Sequence, residues 1–337
     1  MQKIIITGGA GYIGSHTAVA LQQAGFQVVV IDNLSNSSVL SLDGVARITG
    51  TRPLFAQVDC TDLESMRAVF EQHSDSVGVI HFAALKAVGE SVEQPLLYYR
   101  NNLDGLINVL TCMSEFKIPN IVFSSSATVY GVPSVLPVTE ETPLQPATSP
   151  YGQTKVIGES IIRDTVAANA GLNATLLRYF NPIGAHPSGL IGERPNGVPN
   201  NLMPYITQTA AGIRPILRVF GNDYDTPDGY CVRDYIDVND LAMAHVAALR
   251  HMLDGATGVS TFNLGTGRGY SVMELINAFR DATGVDVPYE IVARRAGDVP
   301  AIWADASLAG RVLNWRADTP LSETLSSAWL WQQNSEK

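Results

Sequence analysis

Cysteine is nearly missing from this chain. Its 337 residues hold three, Cys60, Cys112 and Cys231, with no Cys-x-x-Cys spacing among them. An odd number of scattered thiols excludes a disulfide framework and a thiolate zinc site, and fits a reducing compartment, so a cytoplasmic protein is expected. Histidine is sparse too: His245 and His251 stand six apart, which puts them on different helix faces, and no metal site is expected. Basic residues are outnumbered, 22 Lys and Arg against 32 Asp and Glu, for a formal net charge of −10. Such a surface repels a phosphate backbone, so no nucleic-acid partner is expected, while a local basic pocket for a small phosphorylated ligand remains open. No apolar run reaches membrane-spanning length, and the short run at the N-terminus leads straight into glycines, unlike a signal peptide; no membrane partner is expected.

What is present is apolar: 46% hydrophobic against 16% charged residues. That suffices for a substantial core in one large or two unequal domains. Lys3 to Thr7 reads as a strand buried on both faces, followed by Gly8-Gly9-Ala10-Gly11-Tyr12-Ile13-Gly14 and a helical stretch. Glycines at 8, 11 and 14 permit a tight turn, close approach of a pyrophosphate and packing of helix on sheet. The helix N-terminus offers free N–H groups and a positive dipole. A second strand, Gln27 to Ile31, ends at Asp32, eighteen residues beyond Gly14. A carboxylate there accepts from the two adenosine-ribose hydroxyls and repels a ribose phosphate, which favours NAD over NADP.

The strand–helix alternation continues with strands predicted over Leu54–Val58, Val77–Phe82, Ile121–Phe123 and Leu176–Tyr179, and a helix over Leu63–Gln72. Asp59 ends the third strand, where an adenine would lie. Lys86 after the fourth reads either as a diphosphate contact or as a solvated loop lysine. Asn101 and Asn102 precede or begin a helix with Leu103, Leu106, Ile107, Leu110 and Met113 on one face. Ser124, Ser125 and Ser126 follow the fifth strand, where open α/β sheets bind ligands, although serine clusters also mark turns. Residues 132–150 read as an irregular loop over the site.

In Ser149-Pro-Tyr-Gly-Gln-Thr-Lys155, Pro150 suits a first helical turn, so Tyr151 and Lys155, four apart, leave the same face. An ammonium near a phenol favours the phenolate and lowers a pKa that starts near about 10, which would provide a general base. A surface tyrosine beside a solvated lysine is the alternative. After Asn181 the rhythm breaks: residues 182–235 are rich in Pro, Gly and Asn and read as the start of a smaller domain. Arg233–Val238, the helix Leu241–Met252 and Thr261–Gly265 are expected to return to the main sheet, and Ser271–Thr283 to form a capped helix. Arg233 and Arg295 carry forks suited to a diphosphate; ordinary surface ion pairs are the other reading.

Thr7-Gly8-x-x-Gly11-x-x-Gly14, Ser126 and Tyr151-x-x-x-Lys155 together resemble the extended short-chain dehydrogenase/reductase superfamily. Within it the chain is similar to the UDP-glucose 4-epimerase family, on Gly8–His16, Leu85–Ser91, Ser124–Gly131, Leu177–Pro182, Asn200–Pro204, Arg233–Tyr235, Arg294–Asp298 and Trp303–Asp305, over nearly the whole chain. The resemblance implies an α/β fold: a doubly wound parallel Rossmann sheet binding NAD (1–181, with returning segments about 233–265) and a smaller α/β domain binding a UDP-sugar (182–232 and 266–337). It implies Tyr151 as catalytic base and acid, Lys155 as its tuner and a holder of the nicotinamide ribose, and Ser126 as a partner of the sugar O4. NAD would be lined by Gly8, Gly11, Tyr12, Ile13, Gly14, Asp32, Asn33, Asn36, Ser37, Asp59, Cys60, Phe82, Ala83, Lys86 and Asn101, with Ser124 and Phe180 flanking the nicotinamide. Asn181, Asn201, Leu202, Arg218, Phe220, Arg233, Arg295 and Asp298 would hold the UDP-hexose.

The implied reaction interconverts UDP-glucose and UDP-galactose by oxidation at C4, rotation of the 4-keto sugar and re-reduction, in a homodimer built from the helices beginning near Asn102 and Tyr151. Ile302 departs from the pattern. Relatives carry there either a tyrosine, which excludes a 2-acetamido group, or a small residue, so UDP-N-acetylhexosamines stay within the expected range. Arg218 replaces a smaller residue of many relatives. A nucleotide-sugar 4,6-dehydratase is the nearest alternative, but needs an acid pair just after the catalytic hydroxyl, where this chain has Ala127-Thr128-Val129. A pure dehydrogenase would consume free NAD. A dinucleotide-binding regulator without turnover is a further alternative, though such proteins commonly lose the Tyr-x-x-x-Lys pair.

Overall fold

The computed structural model describes residues 1–295 and 297–335. Its first part alternates strand and helix: β1 (Lys3–Thr7), α1 (Tyr12–Gln23), β2 (Gln27–Ile31), α2 (Leu40–Thr49), β3 (Leu54–Ala56), α3 (Leu63–Gln72), β4 (Ser76–His81), α4 (Val88–Glu93) and α5 (Pro95–Tyr99). A π-helical turn, Arg100–Asp104, joins α5 to α6 (Gly105–Phe116); then come β5 (Asn120–Ser126), a 3₁₀ turn (Ala127–Tyr130), α7 (Pro150–Ala168) and β6 (Asn173–Tyr179). Asn101 and Asn102 thus lie inside a continuous helical stretch. Ser124 to Ser126 belong to the strand itself, because hydrogen-bonded pairing with β6 carries the ladder past the apolar run to Tyr179.

The remaining elements are β7 (Asn181–Ile183), α8 (Leu202–Ala210), β8 (Leu217–Phe220), β9 (Val232–Arg233), β10 (Tyr235–Asp237), α9 (Val238–Leu253), β11 (Val259–Leu264), β12 (Tyr270–Ser271), α10 (Val272–Thr283), β13 (Tyr289–Val292), β14 (Ala301–Ile302), α11 (Ser307–Leu313) and α12 (Leu321–Ser335).

Seven strands form the main sheet in the order β11-β6-β5-β4-β1-β2-β3, all parallel. Its winding reverses between β1 and β4, the place where doubly wound sheets open a crevice at the strand carboxyl ends. Ile4 and Ile6 pack with Val28 and Val30 on the α1, α9 and α2 face, whereas Ile5, Val29, Val79 and Ile121 pack on the α3, α6 and α7 face. Continuous β-branched runs are what a sheet covered on both sides requires, each fully buried aliphatic side chain contributing about 1.5–3 kcal/mol.

Residues after Asn181 build a separate apolar cluster that includes Met203, Ile206, Val219, Leu275, Phe279 and Leu325. Here the structure corrects the sequence. Arg233–Val238 does not return to the main sheet: β9 sits between β12 and β14 in a three-stranded sheet, and β10 pairs in parallel with β7. Only α9 and β11 return. The short pieces are held by Asp234, whose fully buried carboxylate accepts from Thr266 N (2.9 Å), Gly267 N (3.2 Å) and Ala304 N (3.2 Å). The capped helix appears as expected: Ser271 and Glu274 form a reciprocal capping box on α10. Among the described residues no helix is long and apolar enough to cross a membrane.

The glycine loop is packed to its limit. Gly8 has φ +71°, and a Cβ on Gly14 would lie 2.4 Å from the Gly8 carbonyl oxygen and 2.7 Å from Gly9 Cα. Gly14→Ala is therefore expected to cost about 2 kcal/mol or more of stability, read as a lowered Tm, and to deplete dinucleotide extracted from the purified protein. Gly89→Ala, where a Cβ meets nothing within 4 Å, should do neither.

Candidate active site

The carboxyl ends of β1, β2, β4, β5 and β6 open into one cleft of about 1860 Å³. Along it lie the expected Gly8, Gly11, Tyr12, Ile13, Gly14, Asp32, Asn33, Asn36, Ser37, Asp59, Cys60, Phe82, Ala83, Lys86, Asn101, Ser124, Ser126, Tyr151, Lys155, Phe180, Asn181, Asn201, Arg233, Arg295, Asp298 and Ile302. Three expected residues stay out of the lining. Leu202 opens α8 and packs against the second apolar cluster. Arg218 and Phe220 alternate outward from buried Leu217 and Val219 on β8; Arg218 pairs with Glu290 on β13. Phe220 keeps one tie to the cleft, through the Arg295 guanidinium 5.6 Å from its ring. Ala296, within the Arg294–Asp298 stretch, lies outside the described residues.

One end of the cleft suits a dinucleotide. Gly11 caps α1 with no side-chain hydrogen bond, and no acidic residue occupies its first turn. α3, α7, α9 and α10 begin with a side-chain cap, whereas α2, α4, α5, α6, α8 and α11 share the uncapped start. An uncapped N-terminus keeps its N–H groups for an anion. Asp32 is buried with Oδ2 accepting from Ala10 N (3.0 Å) and Oδ1 from Leu34 N (2.9 Å) and Ser37 Oγ (2.7 Å), so the carboxylate is fixed where an adenosine ribose would meet it. Asn33 donates to Asp59 (2.8 Å), joining the ends of β2 and β3. Together with the collision-limited glycine loop, these features fit NAD.

At the centre, Ser149 caps α7 and Pro150 opens it, so Tyr151 and Lys155 project from one face. Lys155 Nζ is 5.9 Å from the Tyr151 ring centre and 5.1 Å from that of Phe123. It donates to the Ser124 carbonyl at 2.6 Å. Burial lowers its pKa to about 8, with Glu159 opposing the shift. The expected depression of the Tyr151 phenol is not what the structure gives. Burial pushes that phenol up, and only a hydrogen bond with Ser126 pulls the other way. The reason is geometric: the amine is committed to a carbonyl, and the tyrosine is itself removed from water. Ser124 Oγ hydrogen-bonds the Tyr179 hydroxyl beneath.

The other end is cationic. Asp298 takes Arg295 at 2.8 Å and faces Arg233 at 3.8 Å, so two guanidinium groups flank one carboxylate. Glu193 receives Lys86 (3.0 Å) from the sheet side and Asn201 (2.6 Å) from the other. Sequence reasoning missed Glu193, which no pattern in its Pro- and Gly-rich segment marks. It also missed Glu159, which a period of four from Tyr151 and Lys155 does mark. Ile302 is buried with Ala127, Val129, Tyr130 and Phe180. Among the described residues no cluster of three or more His, Cys, Asp or Glu is placed to hold a metal ion.

Comparison with known proteins agrees with this geometry. Residues 5–328 match the family model described as GDP-mannose 4,6 dehydratase. The UDP-glucose 4-epimerase of Bacillus subtilis is 53% identical over 332 residues, covering 98% of this chain and 97% of the relative. The crystal structure of UDP-glucose 4-epimerase from Stenotrophomonas maltophila, with bound NAD and formylated UDP-arabinopyranose, superposes with a TM-score of 0.96 at 49% identity, covering 100% of this chain and 99% of that one. The enzyme from Bifidobacterium longum, in complex with NAD+ and UDP, also gives 0.96, at 46% identity and 99% coverage of both chains. With half its residues shared over nearly its full length and a cleft holding the expected groups, the chain belongs to the UDP-glucose 4-epimerase family.

Proposed function

We propose that the protein interconverts UDP-glucose and UDP-galactose with NAD held in the glycine-loop end of the cleft and Tyr151 as the group that moves the proton. The observation that carries this reading is the meeting of Tyr151, Ser126 and Lys155 between that loop and the Arg233–Arg295 pair. When bound, NAD supplies a hydride acceptor and, once reduced, a hydride donor for sugar C4. Tyr151 accepts the proton of the 4-hydroxyl and returns it, and Ser126 shares the hydrogen bond to that oxygen. Because burial keeps the phenol protonated in the protein's own field, its ionisation depends on positive charge close by, which Lys155 and a cationic nicotinamide provide. Arg233 and Arg295 hold the diphosphate through charge-assisted hydrogen bonds. Anchoring by the nucleotide while the hexose makes few contacts lets the oxidised sugar turn over.

The nearest alternative reaction, elimination of water across C5 and C6, needs an acid beside the catalytic hydroxyl; Ala127 and Val129 there are buried among apolar side chains. Residues 1–181 with 238–264 carry the cofactor, joined by α11, which packs on the main core through Ala309 and Leu313, and 182–237 with 265–306 and 321–335 carry the nucleotide sugar, with Ala296, Glu336 and Lys337 outside the described residues. Three buried free thiols support a cytoplasmic setting. A homodimer is supported by apolar side chains left in water on neighbouring helices: Leu96 (76% exposed), Val92, Leu97 and Ile107 on α4, α5 and α6. They overlap the expected helix near Asn102, whereas no large apolar side chain of α7 is exposed.

Purified protein should contain NAD and equilibrate UDP-glucose with UDP-galactose without added cofactor. Absence of C4 inversion with both UDP-hexoses and UDP-N-acetylhexosamines would overturn the assignment. Tyr151→Phe should lose at least about 100-fold in kcat while retaining UDP-sugar binding by calorimetry. Lys155→Met should lose turnover yet unfold at a higher temperature at pH 7, compared at matched nucleotide content. A buried lysine whose folded pKa is about 8 rather than 10.5 costs stability on the order of 3 kcal/mol while it is charged. The unfolded chain binds more protons between those two values, so the parent gains stability as pH rises through them and the difference from Lys155→Met should close. Light scattering should give twice the chain mass, and Leu96→Asp with Ile107→Asp should reduce it to one.

A further inference from the structure

We infer that Glu159, seated by Arg178 and Ser125 in the layer beneath the cleft, is a positioning residue of the reaction: it fixes how the Tyr151–Lys155 helix lies on the sheet and supplies the negative charge that balances two buried cations. Tyr151, Lys155 and Glu159 follow one another at intervals of four on α7 and form a single stripe. The Glu159 and Arg178 side chains are 3% and 4% exposed. Glu159 Oε1 accepts from Ser125 Oγ (2.6 Å) and Arg178 Nε (2.8 Å), while Oε2 accepts from Arg178 Nη2 (2.5 Å), a two-pronged pair that fixes orientation as well as distance.

The hydrogen bonds continue outward. Arg178 Nη1 donates to the Tyr130 hydroxyl (3.1 Å), which donates to Asn263 Oδ1 (2.6 Å). Asn263 donates from its backbone to Glu140 Oε1 (2.7 Å) and from its amide to the Val138 carbonyl (3.0 Å). One network therefore joins α7, β5, β6, β11, the 3₁₀ turn and the loop over the site. Ser125 points down into it from between Ser124 and Ser126, and Arg178 precedes Tyr179 and Phe180. Each anchor is a chain neighbour of a cleft residue.

A buried ion pair is weak ground for stability, since an apolar replacement of the same shape often serves as well. Its placement on the catalytic stripe points to the reaction instead. Glu159 is the carboxylate that offsets the burial of Lys155. The other titratable groups bearing on Tyr151 and Lys155 are neutral: His81 on β4, held by burial to about 3, and Tyr98 on α5 and Tyr179 on β6, both pushed up by burial. Arg178 is charged as a guanidinium always is; burial works against that charge, and Glu159 with Tyr130 outweighs it.

The test is the pH dependence of kcat in four variants, with the Tyr151 titration followed as the phenolate absorbance that disappears in Tyr151→Phe. Removing a negative charge lowers the pH at which both Tyr151 and Lys155 release protons, so Glu159→Gln should move the profile to lower pH by about one unit with KM little changed. Arg178→Met removes the buried partner of the carboxylate, leaving it only the half-exposed Arg163 at 3.8 Å, and should move the profile to higher pH. The double variant should return to the parent's position with reduced kcat. Should the single variants not fold, Glu159→Asp, which keeps the charge and loses a methylene, should hold the parent's profile with lowered kcat. Single variants displaced in the same direction or not at all, a displaced profile for Glu159→Asp, or full kcat in the double variant would overturn the inference. It rests on the roles of Tyr151 and Lys155 proposed above; failure of those would show separately, as undiminished turnover by Tyr151→Phe.

Discussion

An amine withdrawn from water and pinned to a backbone carbonyl is the constraint around which this molecule is arranged. Lys155 Nζ sits 2.6 Å from the Ser124 carbonyl, and everything near it either tolerates or exploits that placement. On the β4 side the ladder ends at His81 and Phe123, one residue before Ser124 and its carbonyl. The amine reaches it because α7 starts with Ser149 and Pro150 rather than a turn earlier or later. The charge survives burial because Glu159 follows one turn on. The charge of Lys155 is thus kept in the cleft at a cost to the stability of the fold.

The sequence and the structure agree where local chemistry decides. Glycines at 8, 11 and 14 between a β-branched run and a helix have few other uses, and the collision distances around Gly8 and Gly14 show why no other residue serves. Tyr151 and Lys155 were readable because helical spacing translates directly into a shared face. Agreement fails where partners are distant in sequence. β9, β12 and β14 hold two residues each, too few for any periodicity, and are fixed by Asp234 accepting from loops 32 and 70 residues away. Arg218 and Phe220 fell on the outer side of β8 because an alternating strand commits its side chains only once the packed face is known.

The phenol is the instructive disagreement. Lysine proximity alone argues for a lowered pKa, yet burial raises it. Two groups brought together to help one another were also taken out of water together, and the second effect is the larger. Readiness for catalysis is then a property of the loaded site and not of the side-chain pair, which accords with a cofactor lodged against an uncapped helix end and a cleft continuous from Asp32 to Arg295.

The parallel pairing of β7 with β10 sets Asn181 opposite Tyr235, two positions from Arg233. Under the proposed assignment these strands carry one group that meets the hexose and one that meets its phosphates. On that assignment the rung between them would hold the two groups at a fixed span, so that the length of the phosphate bridge would be read by the backbone itself.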